Sequence, residues 1–324
     1  MKKKLMDVLE HFRDRKVLVV GDIMLDKYIW GDVSRISPEA PVQVVNVLRE
    51  TYAPGGASNV ACNISALTGK AYMVGIAGTD EAKNTLLKEL KAIKINTEGI
   101  FFDKEKPTTQ KVRIMGRGQQ LLRVDYENRE HAHDSIKNLI TKFCEKIIKD
   151  VDIVVLSDYA KGAITEEIIS KLIHLAKDNK KSVIVDPKPK HIALYANVTL
   201  MTPNNAEASE MSGVEDGSDN KILEIGSKLL KRLNSNILIT RGEKGMSLFE
   251  IDGSITHIPA KAKEVYSLIG AGDTVVATMA LAIASGADLK EAAILANIAA
   301  GIKVGKIGTA SVTIDEVRKG IEIL

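Results

Sequence analysis

The stretch Val265-Tyr266-Ser267-Leu268-Ile269-Gly270-Ala271-Gly272-Asp273-Thr274 constrains the fold most, because its glycine-rich turn runs straight into residues 274–285, which are nearly all small and apolar. A helix with no polar face is covered on every side, so this one belongs at the centre of the molecule. Two glycines around one alanine let the backbone turn tightly with its N–H groups converging, and the helix adds the positive end of its dipole. The stretch therefore predicts an anion hole for a phosphoryl group, built by Gly270, Ala271 and Gly272. Asp273 falls on the first helical turn. It is either a helix cap or a general base that takes a hydroxyl proton while the converging N–H groups receive the phosphoryl group. A cap accounts for the carboxylate and leaves the Gly-Ala-Gly turn unexplained.

A helix shut inside needs a large body around it. The chain has 324 residues, which suits one large α/β unit over residues 1–324 with a minor lobe. A net charge of +3 is too small for a nucleic-acid surface, and 45% hydrophobic with 27% charged residues is ordinary globular composition. Cys62 and Cys144 fall in helical patterns without metal-ligand spacing and read as inert thiols of a reducing cytosol. The first twelve residues are basic but lack the unbroken apolar core of a signal peptide, and no run approaches the roughly 18 apolar residues of a membrane span, so a cytoplasmic protein is expected.

Taken in order, Lys16-Val17-Leu18-Val19-Val20-Gly21-Asp22 has the form of a buried parallel strand opening on a ligand crevice. Asp22 is then a ligand for a sugar hydroxyl or an ordinary turn residue. Residues 28–47 and 100–126 alternate apolar and polar side chains without intervening helices, which predicts a separate small sheet from segments of about 26–50 and 99–127. Arg113, Arg117 and Arg123 in that sheet either meet a second phosphate or lie on solvated faces. Gly55 and Gly56 turn into a helix that runs to about residue 67, where Asn59 on the first turn either bonds a ligand or serves the helix end.

Three later strands end in polar residues and place Asp158, Lys161, Asp186, Lys188, Asn204 and Glu207 along one crevice at the carboxyl ends of a parallel sheet. Thr240, Gly242 and Gly245 follow a further strand, as a nucleotide-phosphate turn or a plain hairpin. An Ala/Ile-rich helix over residues 289–304 leads through Lys303 and residues 304–309 into a terminal amphipathic helix.

Gly21-Asp22, Pro54-Gly55-Gly56-Ala57-Ser58-Asn59, Asn204 with Glu207, Thr240 with Gly242, and Gly270-Ala271-Gly272-Asp273, in that order over the whole chain, resemble the ribokinase-like (PfkB) family of carbohydrate kinases. Within the family, residues 34–41, 156–162 and 186–188 resemble the branch acting on D-glycero-β-D-manno-heptose 7-phosphate. The resemblance implies a three-layer α/β/α fold with a mostly parallel sheet and a small β-sheet lid, which often pairs with the lid of a second subunit to give a homodimer. It implies ATP-dependent phosphorylation of the anomeric (C1) hydroxyl, giving the 1,7-bisphosphate on the route to ADP-heptose for lipopolysaccharide or another surface glycan. By similarity Asp273 is the base and Gly270, Ala271 and Gly272 the anion hole. Asn204 and Glu207 arrange Mg²⁺ through water around the ATP phosphates, since hard oxygen donors suit that ion. Thr240, Gly242 and Gly245 line the phosphates and ribose, and Asn297 with Lys303 the adenine. Asp22, Gly55, Gly56, Asn59 and Asp158 serve the sugar, and Lys161, Lys188 and Arg113 its phosphate. In many relatives an adenylyltransferase domain is fused to the kinase; the expectation here is a stand-alone kinase with a separate adenylyltransferase in the pathway.

One departure matters. The family usually carries Asp and Thr just before Gly-Ala-Gly-Asp, where the Asp helps hold a monovalent cation, but this chain has Ser267, Leu268 and Ile269. Dependence on K⁺ is thereby left open. Two other readings also remain: the same chemistry on another sugar phosphate or a nucleoside, and a non-catalytic sugar or nucleotide sensor.

Overall fold

Apolar runs without alternation become inner strands and alternating runs become a second sheet, because only the former can be covered on both faces. The computed structural model describes residues 1–215, 217–261, 265–306 and 310–324, so residues 307–309 of the approach to the last helix lie outside the described residues. The chain opens with α1 (Lys2–Glu10) and β1 (Lys16–Gly21), runs out along β2 (Ile23–Ile36) and back along β3 (Gln43–Gly56), and continues as α2 (Ala57–Ala66). Then come β4 (Lys70–Ala77), α3 (Glu81–Ala92), β5 (Asn96–Phe102), β6 (Gln110–Gly116) and β7 (Gln119–Tyr126). Regular alternation follows through α4 (Asp134–Ile147), β8 (Ile153–Ser157), α5 (Glu166–Asp178), β9 (Ser182–Asp186) and β10 (Leu200–Met201). After α6 (Asn205–Ser212), α7 (Asp219–Leu233), β11 (Asn236–Thr240), β12 (Met246–Phe249) and β13 (Ile255–Ile258), the chain closes with α8 (Ala271–Ala284), α9 (Leu289–Val304) and α10 (Ile314–Glu322).

The large sheet has the order β13-β12-β11-β10-β9-β8-β1-β4-β5, parallel from β11 to β5, with β12 and β13 antiparallel at one edge. Successive side chains of β1 enter opposite layers, as strand periodicity requires. Val17 and Val19 pack with α2, α8 and α9; Leu18 and Val20 pack with α4, α5 and α7. This is the three-layer α/β/α arrangement expected. Cys62 and Cys144 are free and buried, one in each layer, and burial pushes both thiols up to about 12. No helix among the described residues is long and apolar enough to cross a membrane.

The second sheet has the order β3-β2-β6-β7, with β2 and β6 parallel and the outer pairs antiparallel. Its boundaries correct the sequence expectation. The first segment spans Ile23 to Gly56 rather than about 26–50, and the second starts at Gln110 rather than near 99. Residues 96–102 complete a crossover through α3 and pair in parallel with β4, with Gly75 opposite Ile100, so they extend the large sheet.

The apolar run after Asp273 forms α8, which starts three residues earlier than the run itself and packs between α2 and α9. Every residue from Asp273 to Leu281 is buried. Replacing the fully buried Leu281 with Ala should therefore cost about 2–5 kcal/mol, the range for an interior Leu→Ala cavity. Urea denaturation at constant m-value checks this, and a loss below about 1 kcal/mol would contradict a central α8.

Candidate active site

Gly270 caps α8 in the left-handed region at φ 76° and, as glycine, offers the first-turn N–H groups no capping side chain. A Cβ on Gly270 would stand 2.7 Å from Asn59 Nδ2, so glycine supplies both the dihedral and the room. The Ala271 N–H reaches back to the Leu268 carbonyl at 3.3 Å. The N–H groups of Gly272 and Asp273 are first-turn donors beyond the reach of the helix's own acceptors. Beside Gly272 there is open space.

Asp273 is not a cap. Its Oδ2 accepts from Asn59 Nδ2 at 2.5 Å and its Oδ1 from the Tyr159 hydroxyl at 2.8 Å. Burial raises its pKa, against the opposite pull of these two hydrogen bonds. Asn59 is itself set by its neighbours. Asn63 Nδ2 donates to the Asn59 carbonyl at 2.8 Å, and Thr274 Oγ1 donates to Asn63 Oδ1 at 3.0 Å, which ties α2 to α8. Asn63 and Thr274 carry no sequence signal beyond their small polar side chains on buried faces. Tyr159 is a site residue that the motifs do not single out, although it stands inside the polar strand ending that holds Asp158 and Lys161.

Asp22 has a structural task of its own. Its carboxylate accepts the backbone N–H groups of Tyr159 (2.8 Å), Ala163 (2.9 Å) and Lys161 (3.2 Å), because β1 and β8 are sheet neighbours and the loop after β8 folds over the end of β1. It latches that loop, and with it Tyr159, and it also lines a small pocket beside Asn128 and Lys161. Asp158 is likewise occupied: His191 Nδ1 lies 2.5 Å from its Oδ2, the Tyr195 hydroxyl donates to the same oxygen, and the Ala160 N–H donates to Oδ1 at 2.7 Å. At the root of the small sheet, a Cβ on Gly55 would fall 2.7 Å from Asp26 Oδ2 and one on Gly56, at φ 56°, 2.5 Å from the Asp22 carbonyl. Glycine here makes room for neighbouring protein groups.

The expected phosphate-binding cations all have acidic partners. Arg113 Nη1 donates to Asp26 Oδ1 at 2.6 Å and stacks over Tyr28; Lys161 pairs with Glu127 and Lys188 with Glu207. Arg117 bonds the Val33 carbonyl and Arg123 an exposed Asp125, so neither joins the crevice. Lys111, which shares a strand face with Arg113, also reaches this region although no motif marks it. Its ammonium lies 5.6 Å from the Tyr159 ring centre, and Lys188 lies 5.5 Å from the same ring.

Asn204 and Glu207 form a capping box on α6, each side chain accepting the other's backbone N–H. At the end of β9, burial together with the charges of Asp273 and Glu207 pushes the Asp186 carboxyl well above its usual range. Beyond α8 lies a cleft of about 570 Å³ lined by Thr240, Gly242, Gly245, Ala271, Gly272 and Asn297 among others. Thr240 and Gly242 also belong to a hairpin, since β11 and β12 pair across them, so a cleft-lining turn and a hairpin are compatible here. Asn297 Nδ2 donates to the Pro259 carbonyl at 2.8 Å. Lys303 does not line the cleft; it is buried beneath Gly270.

A family model described as pfkB family carbohydrate kinase matches residues 14–316. Among curated proteins, the bifunctional protein HldE of Desulfatibacillum aliphaticivorans is 42% identical over 312 residues, covering 96% of this chain and 64% of that protein. The HldE of Pseudomonas entomophila is 43% identical over 317 residues, covering 97% and 65%. The chain thus spans about two thirds of the length of these relatives. Among solved structures, phosphofructokinase-2 from Escherichia coli in complex with potassium superposes with a TM-score of 0.78 at 18% identity, covering 96% of this chain and 99% of that one. Arabidopsis thaliana ribokinase complexed with ribose and ATP gives 0.75 at 21% identity, with the same coverage. At such identities the likeness establishes the fold.

The Asp22 latch is open to test. Asp22→Ala leaves three backbone donors without their acceptor, each worth about 1–3 kcal/mol when buried and unpaired. Hydrogen exchange at the amides of Tyr159, Lys161 and Ala163 should accelerate far more than exchange in β1. Unchanged protection at those three amides would remove the latch.

Proposed function

Since the chain belongs to the pfkB family of carbohydrate kinases and is a phosphotransferase acting on a sugar hydroxyl, we propose that it transfers the γ-phosphoryl group of ATP to the anomeric hydroxyl of D-glycero-β-D-manno-heptose 7-phosphate. The observation that carries this reading is the Asp273 carboxylate, held by Asn59 and Tyr159 at an uncapped helix end that opens on the 570 Å³ cleft. Asp273 takes the hydroxyl proton as the sugar oxygen attacks the γ-phosphorus and the bond to the ADP oxygen breaks. The Gly272 and Asp273 N–H groups receive the negative charge of the transferred group. Support for the heptose comes from the motifs at residues 34–41, 156–162 and 186–188, and from Lys161, Lys188 and Lys111 gathered around Tyr159 and its loop, which suit an acceptor with a phosphate of its own. A cytoplasmic location follows on this reading.

The residues present fit Mg²⁺. Asp186, Glu207 and Asn204 supply carboxylate and amide oxygens of the kind that suit this ion, at a place where burial and the charges of Asp273 and Glu207 raise the Asp186 carboxyl. Mg²⁺ there would neutralise charge on the phosphates and keep most of its water. A monovalent cation fits poorly, since the places where the family carries its Asp and Thr hold one hydroxyl and two aliphatic side chains. For a homodimer the small sheet is the proposed contact: β7 is exposed along its whole length and presents Leu122 and Tyr126. Such an apolar edge is normally covered.

The test of the reading is ADP release with Mg-ATP against heptose 7-phosphate, fructose 6-phosphate, fructose 1-phosphate, ribose and adenosine. Preference for the heptose phosphate is the expected result. Turnover of another acceptor keeps the kinase and discards the pathway; binding without turnover points to the sensor. Asp273→Asn should lower kcat by about 10²-fold or more with ATP binding intact by calorimetry; near-normal turnover would remove the base. Because the Asp273 carboxyl titrates above its ordinary value of about 4, kcat/KM should fall on the acid side within a range above that value. Tyr159→Phe deletes a hydrogen bond that lowers this pKa and should move the acid limb to higher pH; a limb that stays put refutes the assignment. Lys161→Met should raise the acceptor KM by about tenfold for phosphorylated sugars while leaving neutral ones unaffected.

A further inference from the structure

Lys303, in the last turn of α9, is only 1% exposed, although lysine is almost never fully buried. Its stem passes directly under the phosphoryl-binding turn: its Cε lies 3.4 Å from where a Cβ on Gly270 would stand. Its Nζ donates to the Ala310 carbonyl at 3.0 Å. The same helix end fixes the segment that leads into the turn, since the Val304 carbonyl accepts the N–H groups of Tyr266 at 2.7 Å and Ser267 at 3.1 Å. Ser267 spends its hydroxyl locally, accepting the Ile269 N–H at 3.3 Å, and Leu268 and Ile269 turn outward. The positions that lack a cation-holding carboxylate are therefore strapped beside a lysine that is shut inside. Burial and Lys306 work against the ammonium, whereas the nearby charge of Asp273 favours it.

We infer that the Lys303 ammonium is a built-in cation beneath the Gly270–Asp273 turn, supplying the positive charge that a monovalent ion would otherwise bring, so that phosphoryl transfer runs without one. This rests on the reading of that turn as the phosphoryl site. A second cation in the same poorly solvated pocket would meet like-charge repulsion. An ammonium carried on a packed helix is already in place before substrate arrives, which is the condition for electrostatic stabilisation without reorganisation. Lys303 touches no substrate on this account; it is a positioning residue acting through the turn above it.

The experiment compares wild type, Lys303→Met and Lys303→Gln in potassium, ammonium or tetramethylammonium chloride at one ionic strength. It reads the unfolding midpoint together with ADP release on the acceptor that the panel identifies. For wild type, both readouts should be the same in all three salts. Lys303→Met should lose about tenfold or more in kcat in tetramethylammonium, with the acceptor KM little changed. Potassium or ammonium should restore part of that rate and raise the variant's midpoint. A wild-type rate or midpoint that responds specifically to potassium overturns the inference, as does a Lys303→Met enzyme with normal kcat in tetramethylammonium. A lost rate that no small cation restores reduces Lys303 to packing. If the Met variant does not fold, Lys303→Gln and the wild-type comparison still decide. Normal turnover by Asp273→Asn would sink the site reading itself; an inactive Asp273→Asn beside an indifferent Lys303→Met removes only the lysine.

Discussion

One carboxylate kept inside the protein next to an uncapped helix end sets most of what surrounds it. Burial makes ionised Asp273 costly, and the protein offsets that cost with two side-chain donors brought from opposite directions. Asn59 arrives on α2, and Tyr159 on the loop after β8. Neither could be placed alone. Asn59 depends on the Asn63–Thr274 bond between α2 and α8, and Tyr159 depends on the three N–H bonds that Asp22 draws from its loop. The chain of dependence runs from the end of β1 through a latched loop to the base, so Asp22 governs Asp273 without touching it.

The small sheet belongs to this construction as well. β2 begins two residues after β1 ends, and β3 runs directly into α2, so the excursion leaves and re-enters the body at the site. Gly55 and Gly56 lie at that re-entry, where one admits the Asp26 side chain and the other turns above the Asp22 carbonyl. The Asp26–Arg113 pair then joins the two segments of the small sheet, and Lys111 on the same face of β6 reaches the Tyr159 ring. A movement of the outer strands would be felt first at that ring.

Much of this was legible in the residues. The unrelieved apolar run after Asp273 announced a buried helix, and three strands ending in polar residues announced one crevice, because burial on both faces and strand polarity leave each pattern a single outcome. The cap and the base were indistinguishable by sequence, since both need a carboxylate on the first turn; only the partners Asn59 and Tyr159 separate them. The roles of Asp22 and Asp158 depended on which loop covers which strand, a long-range fact that no local spacing carries. Residues 99–102 go to the small sheet by sequence because an alternating run looks the same at the edge of either sheet. Lys303 is placed at the adenine by resemblance alone, but the cleft-lining positions of α9 are Asn297, Ala300, Gly301 and Val304, and Lys303 falls between them on the side beneath Gly270.

Charge explains why the crevice is closed within itself. Lys161, Lys188 and Arg113 are each satisfied by a carboxylate of the same chain, so none of these three waits unpaired in poorly solvated surroundings. On the proposed reading, a phosphorylated acceptor therefore gains its contacts by exchange, and each exchange releases an acid. The Lys188–Glu207 pair makes this specific. A phosphate that draws Lys188 away leaves Glu207 beside Asp186, whose carboxyl is already pushed up by burial and by the charges of Asp273 and Glu207, against the opposite pull of Lys188. The released charge is best met by a divalent cation at Asn204 and Glu207, so acceptor and metal should each favour the other's binding through one lysine, as reciprocal coupling requires.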